Sequence, residues 1–172
     1  KTPDAYTGPY IISFATSTGP VGQYVTIYGD GFERPNSSNI GPTGNYHVYF
    51  DTDYDLLTTG PPASDQQEAN YDFPEVCADS LWRDDQIIVK VPTGLADGTD
   101  YYFIIDLNGV IIDSRGAVDE YGASRETFAY DESVPLAPGL CKLQPIIGPN
   151  GSDISLFGEY FKGQDASGLN TS

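Results

Sequence analysis

Apolar and polar residues alternate at every second position in one short run after another. Tyr10–Phe14 is the first such run. In Gln23–Tyr28, Val25 and Ile27 share one face, and Tyr24, Thr26 and Tyr28 share the other. Tyr46, Val48 and Phe50 fall together in Tyr46–Phe50, and Ile87, Val89 and Val91 fall together in Gln86–Val91, which Pro92 stops. Tyr101–Leu107 and Val110–Asp113 flank Asn108-Gly109, the dipeptide best suited to a two-residue hairpin turn. Thr127–Tyr130 is the last run of this stretch. Period two, bounded by Gly, Pro, Asn and Asp, is the signature of half-buried strands, and no segment shows a helical period. About seven such strands predict an all-β chain folded as an antiparallel β-sandwich.

Three segments interrupt this pattern. Residues 33–45, 51–80 and 114–126 are polar and turn-rich, and they read as long loops. Charge concentrates in the same region. Residues 51–132 hold nineteen of the 25 acids and four of the 8 bases in a chain of net charge −17. A phosphate backbone demands a surplus of Lys and Arg, so nucleic acid is excluded as a partner. An anionic membrane surface is excluded on the same ground. No apolar run reaches the 18 or so residues that span a bilayer, so no membrane insertion is expected from this segment.

The chain repeats itself. Residues 19–32, GPVGQYVTIYGDGF, match residues 148–161, GPNGSDISLFGEYF, at a constant offset of 129. Carried backwards without a gap, Pro9 falls on Pro138, Ile11 on Leu140, Ile12 on Cys141 and Phe14 on Leu143. The expected organisation is one complete unit over 9–134 and the start of a second over 138–172. A short linker stiffened by Pro135 and Pro138 joins them. Thirty-five residues cannot bury a sandwich core alone. The chain therefore reads as cut from a longer array, or as completed by another copy of itself.

The residues of the repeat also carry a family resemblance. Pro9-Tyr-Ile-Ile-Ser-Phe, Gly19-Pro-Val-Gly and Val25-Thr-Ile-Tyr-Gly-Asp-Gly-Phe32 resemble the opening of an IPT/TIG domain. Val48-Tyr-Phe50, the Trp82–Pro92 stretch WRDDQIIVKVP, and the Gly94–Phe103 run GLADGTDYYF resemble its middle and late strands. The resemblance implies an immunoglobulin-like sandwich of the early-set kind, strung in tandem as in large prokaryotic cell-surface proteins. The 51–80 and 114–126 segments depart from the family pattern.

Little in the sequence points to a reaction. The single histidine, His47, lies in an alternating strand and reads as a strand-face residue rather than a catalytic base. No nucleophile elbow and no Gly-rich phosphate loop occurs, and no catalytic residue or organic cofactor is expected. Asp51, Asp53 and Asp55 stand at alternate positions after a strand. If the chain turns there, three carboxylates could converge on calcium, with Asp79, Asp84 or Asp85 as further ligands; the other reading is a solvated acidic turn. Cys77 and Cys141 match no zinc or redox spacing. In an exported chain they most simply pair, closing a loop worth about 4 kcal/mol in the chain-entropy treatment; two buried free thiols are the alternative. Asn36, Asn150 and Asn170 head glycosylation sequons. The expectation is a non-enzymatic structural or adhesive segment of an extracellular surface protein or filament. Its partners would be other copies or adjacent repeats. The alternative is a carbohydrate- or protein-binding module of a secreted enzyme.

Overall fold

The structure is a computed structural model that describes residues 8–52, 66–114 and 127–161. Ten strands build two packed sheets. The first sheet has the order β1–β3–β7–β6, formed by β1 (Tyr10–Ala15), β3 (Tyr24–Asp30), β7 (Gln86–Lys90) and the short β6 (Trp82–Arg83). The second has the order β2–β10–β8–β4–β5, with β9 on the same edge of β8 as β10. Its strands are β2 (Thr18–Gly19), β4 (Tyr46–Asp51), β5 (Gln67–Glu68), β8 (Thr99–Leu107), β9 (Val110–Asp113) and β10 (Phe128–Tyr130).

The chain changes sheets within its first strand region. β1 pairs antiparallel with β3, whereas β2 pairs parallel with β10 in the opposite sheet. Thr16, at φ 70°, makes the crossing. The two layers give the antiparallel sandwich expected from the alternation, and its immunoglobulin-like character is the one the resemblance implies.

Period two places the apolar side chains between the layers. Val25, Ile27, Ile87 and Val89 of the first sheet meet Val48, Phe50, Phe103, Ile105 and Phe128 of the second, all fully buried. Phe50 packs edge-on against Phe103 at 4.9 Å and Phe128 at 5.6 Å. Trp82 seals one end and donates its indole N–H to the Phe32 carbonyl at 2.9 Å. Residues 108–109 form the expected tight turn between β8 and β9.

The reading of 51–80 as a loop needs correction. Its latter part belongs to the fold: β5 extends the second sheet and a 3-10 turn over Glu75–Ser80 packs Cys77 into the interior. A two-residue strand and a six-residue 3-10 helix are too short to show periodicity, which is why the pattern does not reveal them.

After β10 comes a third sheet, of two strands. β11 (Gly139–Gln144) and β12 (Ser155–Glu159) pair antiparallel, separate from both layers of the sandwich.

Candidate functional site: the junction between sandwich and hairpin

The outward face of the first sheet is not uniformly solvated. Along β3 it carries Tyr24, Thr26 and Tyr28, and along β7 it carries Gln86, Ile88 and Lys90. At one end, Tyr24, Ile88 and Lys90 are buried, because the 3-10 turn and the β11–β12 hairpin cover them. Tyr24, Cys77, Leu81, Ile88 and Cys141 form a compact apolar cluster there, with Phe73 and Phe157 packed on it.

Four kinds of tie hold the hairpin to the sandwich. Cys77 and Cys141 are joined in a disulfide, with 5.6 Å between their Cα atoms. Gly139 lies flat over the Tyr24 ring; a Cβ there would stand 2.2 Å from the ring, so only glycine allows this approach. Lys90 is buried with its ammonium over the rings of Phe73 (5.0 Å) and Tyr24 (5.4 Å), donating to the Asp72 carbonyl and pairing with Glu159 on β12. The Tyr24 hydroxyl donates to the same Glu159 carboxylate at 2.7 Å. The linker is held too, since the Ala137 N–H donates to the buried Gln23 side chain at 2.9 Å.

The electrostatics follow from this geometry. Partial burial pushes the Glu159 carboxyl upward, but hydrogen bonds from Lys90 and Tyr24 outweigh it and leave it below its ordinary value. Burial, reinforced by the bond to Glu159, drives the Tyr24 phenol well above its ordinary range. At neutral pH Glu159 therefore stands as a carboxylate and Tyr24 as a neutral phenol. A buried lysine on an outward sheet face is thus compensated by Glu159 of β12.

The same face and the hairpin together line a cleft of about 470 Å³. Tyr28, Thr26, Gln86 and Arg83 line it from the first sheet, and Lys142 and Ile146 from the hairpin. An aromatic ring beside hydroxyl, amide and guanidinium groups offers one apolar plane and several directional donors and acceptors.

Of the residues singled out in the sequence, Cys77 and Cys141 are brought together. Asp51 is fully buried at the end of β4, and its carboxylate accepts a bond from Gln66 at 2.8 Å. Gln66 is itself buried, and its carbonyl oxygen has no partner among the described residues. Asp53 and Asp55 lie outside the described residues. Among those described, no three carboxylate, imidazole or thiol groups gather as metal ligands. Asp84 accepts from the Glu33 N–H at 3.2 Å, and Asp85 stands 3.8 Å from Arg83. His47 stacks on Tyr49 and lies 2.9 Å from Glu68, as a strand-face residue would. Asn36 and Asn150 are exposed, and Asn170 lies outside the described residues.

Tyr24, Lys90 and Glu159 were not singled out. The available signal was Ile88 followed by Lys90, an apolar and a long basic side chain on what alternation makes an outward face.

No family model matches the chain, and no curated protein matches it in sequence. Several solved structures are similar in fold. One is a structural-genomics protein of unknown function from Bacteroides thetaiotaomicron VPI-5482, 14% identical over 74% of this chain and 23% of that one, with a TM-score of 0.44. Another is an auxiliary nutrient binding protein from the same organism, 15% identical over 74% and 22%, with a TM-score of 0.40. A third holds xylogluco-oligosaccharide and is 20% identical over 90% and 27%, with a TM-score of 0.41. The likeness is one of fold alone. This chain spans about a quarter of the length of each.

Proposed function

We propose that the chain is a non-enzymatic, extracellular segment of a cell-surface protein, made of β-sandwich units of the IPT/TIG kind, whose task is to hold successive units in a fixed relative orientation. The observation that carries this reading is the junction. A disulfide, an ion pair between buried Lys90 and half-buried Glu159, and the Gly139–Tyr24 contact fix the start of the second unit on the back of the first. A flexible tether would need none of these. The disulfide also suits an oxidising compartment. Among the described residues no helix is long and apolar enough to cross a membrane.

The test is orientation in solution. Residual dipolar couplings from the sandwich and from β11–β12 should fit one alignment tensor with the disulfide intact. Two independent tensors would overturn the reading.

A second reading is favoured by the cleft, not by the likeness in fold. Tyr28, Gln86 and Arg83 present the chemistry that takes a sugar: an aromatic plane for the apolar ring face, with an amide and a guanidinium for hydroxyls. On this reading the segment is a carbohydrate-binding module of a longer secreted or surface protein. Titration with neutral oligosaccharides should then shift the amides of Tyr28 and Gln86, and Tyr28→Ala should abolish those shifts. Unmoved amides at millimolar ligand would dispose of it.

A further inference from the structure

The β11–β12 hairpin repeats the β1–β3 pairing residue for residue. In the first unit the partners are Tyr10↔Asp30, Ile11↔Gly29, Ser13↔Tyr28, Phe14↔Ile27 and Ala15↔Thr26, with a bulge between Ile11 and Ser13. In the second they are Gly139↔Glu159, Leu140↔Gly158, Lys142↔Phe157, Leu143↔Leu156 and Gln144↔Ser155, with the bulge between Leu140 and Lys142. The offset is the same at every pair. Gly22 and Gly151, which turn the chain into the returning strand, share a left-handed backbone at φ 83° and 87°.

What differs is the cover. Val25, Ile27 and Phe32 are 0% exposed, whereas their counterparts Ile154, Leu156 and Phe161 are 61%, 51% and 40% exposed. Ile11 is 3% exposed and Leu140 is 43% exposed. In the first unit this face is closed by the second sheet, through Val48, Phe50, Phe103, Ile105 and Phe128. The hairpin's opposite face, with Cys141, Phe157 and Glu159, is the one seated on the first unit. One face is therefore docked, and the other is apolar and open.

We propose that the open face of β11–β12 is half of a second sandwich core, and that its missing half is an antiparallel sheet with the aliphatic and aromatic face of β4, β8 and β10, contributed by polypeptide that continues the same chain beyond Phe161. The matched register fixes which side chains meet it: Leu140, Leu143, Ile154, Leu156 and Phe161. A scattered apolar surface would not reproduce, position for position, the inward set of a closed sandwich. The free strand edges would pair with the added strands as β3 pairs with β7. This deepens the spacer reading and rests on it, because an oriented second unit must be a folded one.

Hydrogen exchange on two polypeptides tests the proposal: the 172-residue chain, and the natural chain carried on through a full second unit. The β12 amides should exchange at least ~100-fold more slowly in the longer chain, as expected for core strands that open only by larger unfolding. Light scattering should show both chains as monomers. Leu156→Asp should unfold the second unit of the longer chain while leaving the 172-residue chain unchanged. Equal exchange in two monomeric chains would overturn the proposal. Dimers of the 172-residue chain with protected β12 amides would also overturn it, by making a second copy the cover. Detachment of the hairpin on reduction concerns the spacer reading alone, since the exchange comparison is run with the disulfide intact.

Discussion

The two hairpins of this chain, β1–β3 and β11–β12, are nearly the same object in different surroundings. Each has the same register, the same bulge and the same left-handed glycine before its returning strand. One is buried in a core and the other exposes its apolar face. Backbone pairing is thus set by local sequence: turn glycines, alternation and a bulge position. Burial is set by what lies elsewhere in the chain. Stability should then reside very unevenly in two elements that look alike.

Cutting the tie between the units should have the largest effect. Replacing Cys77 and Cys141 together by serine removes a closure over 64 residues, worth about 4 kcal/mol in the chain-entropy treatment. The β11–β12 amides should then exchange with solvent while those of β3 and β8 stay protected. Equal loosening of both hairpins would show that the first unit also depends on the bridge.

Matched truncations sharpen the comparison next. Ile27→Ala should cost about 3 kcal/mol, as for a fully buried aliphatic side chain, whereas Leu156→Ala at the equivalent position should cost about 0.5 kcal/mol or less. Urea unfolding of the 172-residue chain measures both. Similar losses would mean that the second face is already covered.

A smaller effect belongs to Glu159. Its carboxyl lies below its ordinary value of 4.5 in the folded chain, so its contribution is present above that pH and is lost as pH falls through the folded value. Glu159→Gln should cost about 1 kcal/mol at neutral pH, after allowance for partial exposure, and should flatten the acid limb of hairpin stability below pH 4.5. The sandwich's own unfolding at higher pH should be unaffected.

Calcium gives the smallest expected change. If Asp51, with Asp53 and Asp55, holds the ion, a chelator lowers the melting temperature by a few degrees, and Asp53→Asn removes that sensitivity. Superimposable melting curves would leave Asp51 as a buried carboxylate bonded to Gln66.

The sequence made the sandwich legible because its long strands alternate cleanly. Val25 and Ile27, then Ile87 and Val89, announce one layer; Val48 with Phe50, then Phe103 with Ile105, announce the other. The repeat also marks β11 and β12, by carrying the patterns of β1 and β3 forward 129 residues. The Tyr24–Lys90–Glu159 cluster was not legible. It draws on β3, β7 and β12, so no window of the sequence contains it. A tyrosine and a lysine on an outward face look solvated until the β11–β12 hairpin is seen to cover them. The 3-10 segment around Cys77 escapes notice for a different reason, since six residues are too few to show a period.

The bridge between Cys77 and Cys141 also changes how the chain would answer a pull. Tension entering near Tyr10 and leaving near Phe161 crosses from Cys77 to Cys141 through sulfur, bypassing the 64 residues of backbone between them. At about 3.5 Å per residue, that is roughly 220 Å of extension withheld for as long as the bond survives. β6 to β10 lie within the withheld length, so their backbone cannot be drawn out while the bond holds, whereas β1, β3 and β4 remain in the path of the pull.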